Sequence, residues 1–547
     1  MDIVQKINKL MAAGDYAAAQ KRIRPLAKKE PRNAGLQNMA GLTFAKGGQH
    51  KAALQYFVAA VKAAPEQTDF RYNLTLSLVL CGEDAKAAGQ IDRLISAAPD
   101  DPRPWHMRAM LYQNAGTHKE AVKAATEAIS RDPQMADALN LRAVAYTFLR
   151  DDAAALADFQ AAAERRPDDS KTLRQLGKQL SQMGLQERAL EAWGRALRLT
   201  PGHPNTLARV AEVCPPDTLP QVREAAEKAL TARPADPADR AQLMLAAATA
   251  MHRSGKASQA MELLHRLHAL DARHNPWDRR AARKEFERMT SLFPAAPDIS
   301  RPAAQTPSPV FVTGLPRSGT TLVEMILSRA QGVVARGELP MAAARAQAFL
   351  ATGRPVTAEA LADFAKGFRA DMPPVPADAA FFTDKMPANF RYIGLLADAF
   401  PDARFVCVER DPRDVALSMW RRRFVTEGMN FASSLPDIAD YANLFALYMR
   451  HWQATCADRI LTVRYEDLVS DMDSGTRAIA EHCGLTWTGD MLHPEESDAR
   501  VETASKDQVR ARVHTRSVGG WQQFASDFRE FTDNLDPDLW PEIATPG

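Results

Sequence analysis

Residues 310–321 read VFVTGLPRSGTT. Val310, Phe311, Val312 and Thr313, apolar or β-branched, run into a turn opened by Gly314 and Pro316. Past Thr321, Leu322, Met325 and Ile326 recur at helical spacing. A buried strand, a glycine-bearing turn and a helix N-terminus in that order make an anion cradle. The first helical amides have no intrahelical partner, and the helix dipole favours negative charge beside them. The spacing Gly314-x-x-x-x-Gly319-Thr320-Thr321 is the phosphate-loop pattern with one change: Thr320 stands where a nucleotide hydrolase carries lysine. The loop therefore suits a phosphate-like group held without the usual lysine and magnesium chemistry.

Downstream of this stretch, short apolar runs alternate with longer helical patterns, the signature of a parallel sheet. The runs 310–314, 380–383, 403–409 and 459–463 read as strands, with a shorter one at 333–335. Ligands of open parallel sheets collect at the carboxyl ends of strands. The residues that follow these runs are Arg317 and Ser318, Asp384 and Lys385, Arg410 with Asp411-Pro412-Arg413, and Tyr465 with Glu466. After the RDPR turn, Ser418 and Arg422 lie four apart on one helix face. A guanidinium pair with a hydroxyl suits a phosphate monoester, because arginine forks match its oxygens two at a time. The competing reading is a surface network in which Asp411 and Asp414 pair with the arginines.

The first half is repetitive. Prolines recur every 34 residues at Pro31, Pro65, Pro99, Pro133, Pro167 and Pro201. Alanines keep step at Ala19, Ala53, Ala87, Ala121, Ala155 and Ala189, and small residues fill a third register at Gly41, Ala109, Ala143 and Gly177. Each period holds two short helices that cross closely over the small residues and end at the proline. The pattern resembles the tetratricopeptide repeat over residues 1–235, and a helical pair at 241–270 reads as a further or capping unit. The resemblance implies a groove that takes an acceptor protein or peptide; a spacer or lid role stays open, and a homodimer is compatible with it. The segment 275–293 reads as a basic helix with a solvated face, and 294–309 as a proline-rich linker. The expected organisation is an all-α solenoid at 1–272, the basic helix and linker at 273–307, and an α/β phosphate-loop domain with a parallel sheet at 308–547.

The 547 residues carry 69 Lys and Arg against 67 Asp and Glu, a net charge of +2. No global attraction to nucleic acid or a membrane surface follows, so neither is expected as a partner. Cys81, Cys214, Cys407, Cys456 and Cys483 are scattered without a C-x-x-C, which argues against a disulfide framework or thiolate zinc. His451, His482, His493 and His514 lack ligand spacing, and no metal site is expected. The N-terminal MDIVQKINKLMAAGDY interleaves lysines with apolar residues and reads as an amphipathic helix, not a leader. No run approaches the roughly 20 apolar residues that span a bilayer. The expectation is a cytoplasmic protein.

Four motifs in order, PRSGTT (316–321), RDPRDVALSMWRR (410–422), VRYEDLV (463–469) and SKDQVR (505–510), resemble the sulfotransferases that use 3′-phosphoadenylyl sulfate (PAPS). The likeness spans about residues 308–525 and is strongest to the tyrosylprotein sulfotransferase branch. It implies a donor phosphosulfate in the loop of Arg317, Ser318, Gly319, Thr320 and Thr321, and a donor 3′-phosphate at Arg410 and Ser418. Arg422 and Tyr465 match further donor contacts. Glu338 in ARGELP matches the family's base, and Lys385 in TDKMP the lysine that stabilises charge on the transferred group. Ser505 matches the serine beside it, which also contacts the donor, and Arg317 would add a fork at the sulfonate. Gly520 stands where the tyrosylprotein enzymes carry a donor lysine, with Arg512, Arg516 or Ser517 as substitutes. The acceptor stays open among a protein tyrosine, a sugar and a small alcohol. Two alternatives stand beside this reading: a phosphate-loop kinase for a small metabolite, and a repeat scaffold with an inactive second domain. The tail beyond Phe524 reads as polar and uninformative.

Overall fold

The computed structural model describes residues 3–294, 302–353, 355–426, 428–497 and 512–544. The chain forms two compact units, Met1–Pro201 and Gly202–Gly547.

Among the described residues the first unit is twelve helices, from α1 (Ile3–Ala12) to α12 (Gln186–Leu199). The six periodic alanines are all fully buried. The small-residue register explains the close crossings: a Cβ at Gly41 would enter the Phe57 ring, and one at Gly177 would enter the Trp193 indole. Overpacking of that kind costs about 1–3 kcal/mol. A further register of the same period, at Gly14, Gly48, Gly82, Gly116 and Gly184, holds the left-handed turn between paired helices. Arg150 takes that conformation (φ 64°) in the one unit of this run that lacks the glycine.

The second unit is built on a five-stranded parallel sheet, β1 (Ser308–Gly314), β2 (Val333–Val334), β3 (Phe381–Asp384), β4 (Arg404–Glu409) and β5 (Ile460–Arg464), in the order β2-β3-β1-β4-β5. Every expected run is a strand. Side chains alternate between two covered faces, as a buried parallel sheet requires. Phe311, Phe405 and Cys407 enter one core with Phe368, Phe400 and Trp452. Val310, Val312, Val406 and Val408 enter the other with Val323, Ile326 and Ile479.

The division at Pro201 falls inside the stretch that the repeat reading assigns to the solenoid. Five helices, α13 (Pro204–Val213), α14 (Leu219–Thr231), α15 (Pro237–Arg253), α16 (Ala257–His274) and α17 (Arg279–Leu292), belong to the second unit. Leu245, Leu264, Leu267, Met289 and Phe293 share the core of Phe311 and Phe405. The basic face of α17 is engaged as well as solvated, since Arg279 pairs with Asp437; the acidic Glu285 of the same helix takes Arg391. The tail corrects its reading outright. Phe524, Phe528, Phe531, Leu535 and Trp540 are buried in the main core, the first four of them at helical spacing.

Candidate active site

The loop after β1 is built as the sequence implies. Thr320 opens α18 (Thr320–Ser328), with Gly319 at φ 113° as its N-cap. Two close approaches exclude side chains here: a Cβ on Gly314 would press on the Val408 carbonyl, and one on Gly319 would meet the Tyr465 ring. Ser318, Thr320 and Thr321 are buried, and the Ser318 hydroxyl has no partner among the described residues. Arg317 sits at φ 73°, and its Nε donates to Ser418 Oγ at 3.0 Å. Burial, with the charges of Arg422 and Arg410, pushes its guanidinium down to about 9. It remains a cation at neutral pH in surroundings that favour an anion beside it.

Arg410, at the end of β4, donates to the Arg317 carbonyl (3.1 Å) and the Ser517 carbonyl (2.6 Å), and lies over the Tyr465 ring at 4.6 Å. The Tyr465 hydroxyl meets Ser517 Oγ at 2.9 Å. The two arginines of the RDPR turn separate in role. Arg413 folds back on Asp411, the N-cap of α22 (Pro412–Trp420), and stacks on Trp521, so for it the ion-pair reading holds; Arg410 keeps a longer pair with Asp414, at 3.9 Å, beside its two carbonyl contacts. Asp414 accepts from the amides of Gly519 and Trp521 and anchors the 517–521 turn against α22.

A cavity of about 540 Å³ opens over this edge. Arg317, Gly319, Thr321, Arg410, Ser418, Arg422 and Tyr465 line it, as do Arg512, Arg516, Ser517 and Gly520. Arg253 and Arg421 add to the wall; with Arg317, Arg410, Arg422, Arg512 and Arg516 they make seven arginines against two acids, Glu212 and Asp414. In a chain of net charge +2 this is a strong local excess of positive charge. Arg421 was not singled out from the sequence, although it stands in the Arg421-Arg422-Arg423 run; one of its buried guanidinium nitrogens is unpartnered among the described residues. Its charge, after burial itself, pushes the His252 imidazole down to about 4, so His252 is neutral at pH 7.

Glu212, Thr249, His252 and Arg253 reach the cavity from α13 and α15, and no local signal marks them. The C-terminal end of α22 is clasped by the same helical segment. Glu212 takes Arg422 at 2.8 Å, Asp271 takes Arg423 through both carboxylate oxygens, and His268 Nε2 bonds the Trp420 carbonyl at 2.8 Å.

Glu338 and Lys385 do not line this cavity. They stand at the neighbouring strand ends, where Lys385 Nζ donates to Glu338 Oε1 at 2.8 Å. Beneath them are two buried acids: Glu324 on α18, absent from the sequence reading of the site, and Asp384 at the end of β3, which that reading placed at the strand edge beside Lys385. An acid inside an apolar helix run and another closing an apolar strand were the available signals. Ser505 lies outside the described residues.

Fold and site define the class: a helical repeat solenoid followed by an α/β domain with a five-stranded parallel sheet and an arginine-rich cavity at its strand ends. Residues 309–489 match the sulfotransferase family, while 5–68, 44–111 and 106–170 match tetratricopeptide repeats. The chain thus joins tetratricopeptide repeats to a sulfotransferase-family domain. An uncharacterised protein of Aquifex aeolicus (strain VF5) is 30% identical over 232 residues, 40% of this chain and 30% of that one. Protein-tyrosine sulfotransferase 1 of Danio rerio is 28% identical over 233 residues, 39% of this chain and 65% of the relative. Protein-tyrosine sulfotransferase 2 of Gallus gallus is 26% identical, with 39% and 62% covered. The match spans less than two thirds of each relative. A solved tetratricopeptide protein of Thermus thermophilus aligns with 32% of this chain and 97% of its own length, at 20% identity and TM-score 0.30. Among the described residues no helix is long and apolar enough to cross a membrane.

Proposed function

We propose that the second unit transfers a sulfuryl group from PAPS to an acceptor hydroxyl. The observation that carries the reading is the cavity itself, with seven arginines against two acids at the N-terminus of α18; next to its lining residues Arg317 and Gly319 lies the buried Ser318 hydroxyl, unpartnered among the described residues. That set fits a small ligand with anionic groups at two ends. Arg317 and the 318–321 backbone suit the phosphosulfate, and Arg410, Ser418 and Arg422 suit the 3′-phosphate. Arg512, Arg516 and Ser517 supply the charge and hydroxyl that Gly520 cannot.

In this reading the acceptor oxygen attacks sulfur in line, Glu338 takes its proton, and the sulfur–oxygen bond to the donor phosphate breaks. Lys385 and Arg317 hold the charge that develops, with Ser505 assigned beside them by resemblance. Adenosine 3′,5′-bisphosphate leaves with the electron pair. We infer a protein tyrosine as acceptor from the names of the relatives, with the repeats recruiting or covering the protein that carries it.

The test is a titration with adenosine 3′,5′-bisphosphate, followed by incubation with ³⁵S-labelled PAPS and a tyrosine-containing copolymer or cell extract. Saturable binding with label on tyrosine is the expected result. No saturable site sinks the reading, label on a sugar or small alcohol moves the acceptor, and magnesium-dependent ATP turnover supports the kinase instead.

A further inference from the structure

Glu338 sits in a stretch with no sheet ladder to hold it, since β2 ends at Val334. Its neighbours are nonetheless fixed on both sides. The Gly337 amide donates to Glu324 Oε1 at 2.8 Å, and the Leu339 amide donates to Asp384 Oδ1 at 3.4 Å. The Gly337 carbonyl accepts from the Lys385 amide at 2.9 Å. Both carboxylates are tied in turn. Thr383 Oγ1 donates to Glu324 Oε1 at 2.7 Å and accepts from the Arg336 amide at 3.3 Å, while Asn389 Nδ2 donates to Asp384 Oδ2 at 3.0 Å. Glu324 is 4% exposed and Asp384 fully buried. Burying two ionisable acids beside an ion pair is costly whether or not they keep their charge, and simple packing needs neither of them.

We propose that Glu324 and Asp384 are positioning residues that hold the backbone on either side of Glu338, and so place its carboxylate for proton transfer. Glu324 stands one turn into α18, whose first residues Thr320 and Thr321 belong to the donor loop. One rigid helix therefore sets both the donor cradle and the base, and the distance between them is built into the fold rather than assembled by the substrate. The proposal rests on the reading of Glu338 as the base.

Three measurements on the full chain test it. Hydrogen–deuterium exchange over residues 333–341 reads the grip directly: Glu324→Ala and Asp384→Ala should each speed exchange there, and Glu324→Gln, which keeps an acceptor oxygen, should not. Adenosine 3′,5′-bisphosphate affinity and the melting temperature read whether the donor site and fold survive. Transfer from labelled PAPS to the copolymer reads the consequence. Glu324→Ala should lower kcat about 10²-fold, the scale of a misplacement near 1 Å, with KM for the donor unchanged. Glu324→Gln should recover most of that loss. Unchanged exchange in both alanine variants overturns the grip, and faster exchange with wild-type kcat overturns the positioning role. A wild-type chain that transfers nothing, or a Glu338→Gln chain that transfers fully, overturns the base and the positioning role together. That outcome leaves the exchange result standing, which separates the two failures.

Discussion

Lys385 Nζ bonds Glu338 Oε1 at 2.8 Å, yet the side chains differ widely in exposure, 1% for the lysine and 43% for the glutamate. The buried member is the cation. An ammonium out of water needs a counter-charge, and the half-exposed carboxylate supplies it while keeping part of its surface open to solvent. Glu338→Gln keeps an oxygen for Lys385, so the fold and donor affinity should persist while transfer falls about 10²–10⁴-fold. Lys385→Met leaves the glutamate in water and should lower transfer about 10²–10³-fold. Initial rates with labelled PAPS measure both. A Glu338→Gln rate equal to wild type removes the glutamate from the mechanism.

The clasp on α22 makes a prediction about truncation. Ser418 and Arg422 belong to a helix end held by Glu212, His268 and Asp271, and the sheet core is completed by Leu245, Leu264 and Phe293. A chain begun at Gly202 should express as a folded unit that binds adenosine 3′,5′-bisphosphate. A chain begun at Ser308, the domain start expected from sequence, should aggregate or lose that affinity. Calorimetric titration of the two separates these outcomes, and tight binding by the shorter chain would show the helical segment to be dispensable.

What could be read from sequence depended on the range of the interaction. The solenoid and the β1–loop–α18 stretch were legible because their signals are local: a 34-residue period, an apolar run, two glycines at phosphate-loop spacing. Arg317, Arg410, Ser418 and Tyr465 followed, since parallel-sheet topology puts strand ends on one edge, and the structure lines one cavity with all four. Glu212 and Asp271 pair with arginines about 210 and 152 positions away, and no local pattern records such a contact. The tail differs: Phe524, Phe528, Phe531 and Leu535 stand at helical spacing, a local signal, although the chain there forms only short helical turns packed into the main core. Glu324 is one acid in an apolar helix, and only the fold shows the amide that it holds.

Glu212 occupies Arg422, a residue read as a donor contact, so an internal carboxylate competes with the ligand's phosphate. The two side chains are 20% and 28% exposed, so both still reach solvent, and the partly buried pair is worth at least the upper part of the range of about 0.2–1 kcal/mol found for fully exposed pairs. Glu212→Gln should therefore tighten adenosine 3′,5′-bisphosphate binding about 2- to 5-fold. The gain should shrink at high salt as Arg422 is screened. Weaker binding in this variant would mean that Glu212 orients Arg422 for the ligand instead of masking it.

Arg150 adopts φ 64° where neighbouring repeats place glycine. A non-glycine residue in that region carries roughly 1–2 kcal/mol of strain, and glycine gives back about 0.5–1 kcal/mol through its freer unfolded chain. Arg150→Gly should raise the stability of the first unit by about 0.5–1 kcal/mol, while Gly116→Arg should lower it by a similar amount. Urea denaturation of the isolated 1–201 segment reads both, and loss of stability in Arg150→Gly would mean that the arginine's own contacts outweigh the strain.

Asp384 gives a pH dependence with a definite sign. Burial pushes its carboxyl up to about 8, against hydrogen bonds from Asn389 and the Leu339 amide that pull it down; Glu324 raises it further and Lys385 lowers it. An unfolded aspartate titrates near 3.9, so between about pH 4 and 8 the folded chain holds a proton that the unfolded chain has lost. Its contribution to stability is fully present below the lower value, falls as pH rises through that window, and levels off above the upper one. Asp384→Asn removes this titration. The new amide oxygen can still accept from the Leu339 amide, and its nitrogen can face Asn389, whose own amide oxygen is unpartnered among the described residues and can turn to meet it. The melting temperature of wild type relative to Asp384→Asn should therefore decline steadily from pH 5 to pH 8 and stay flat beyond. Parallel melting curves across that range would mean that the aspartate is ionised in the folded chain throughout.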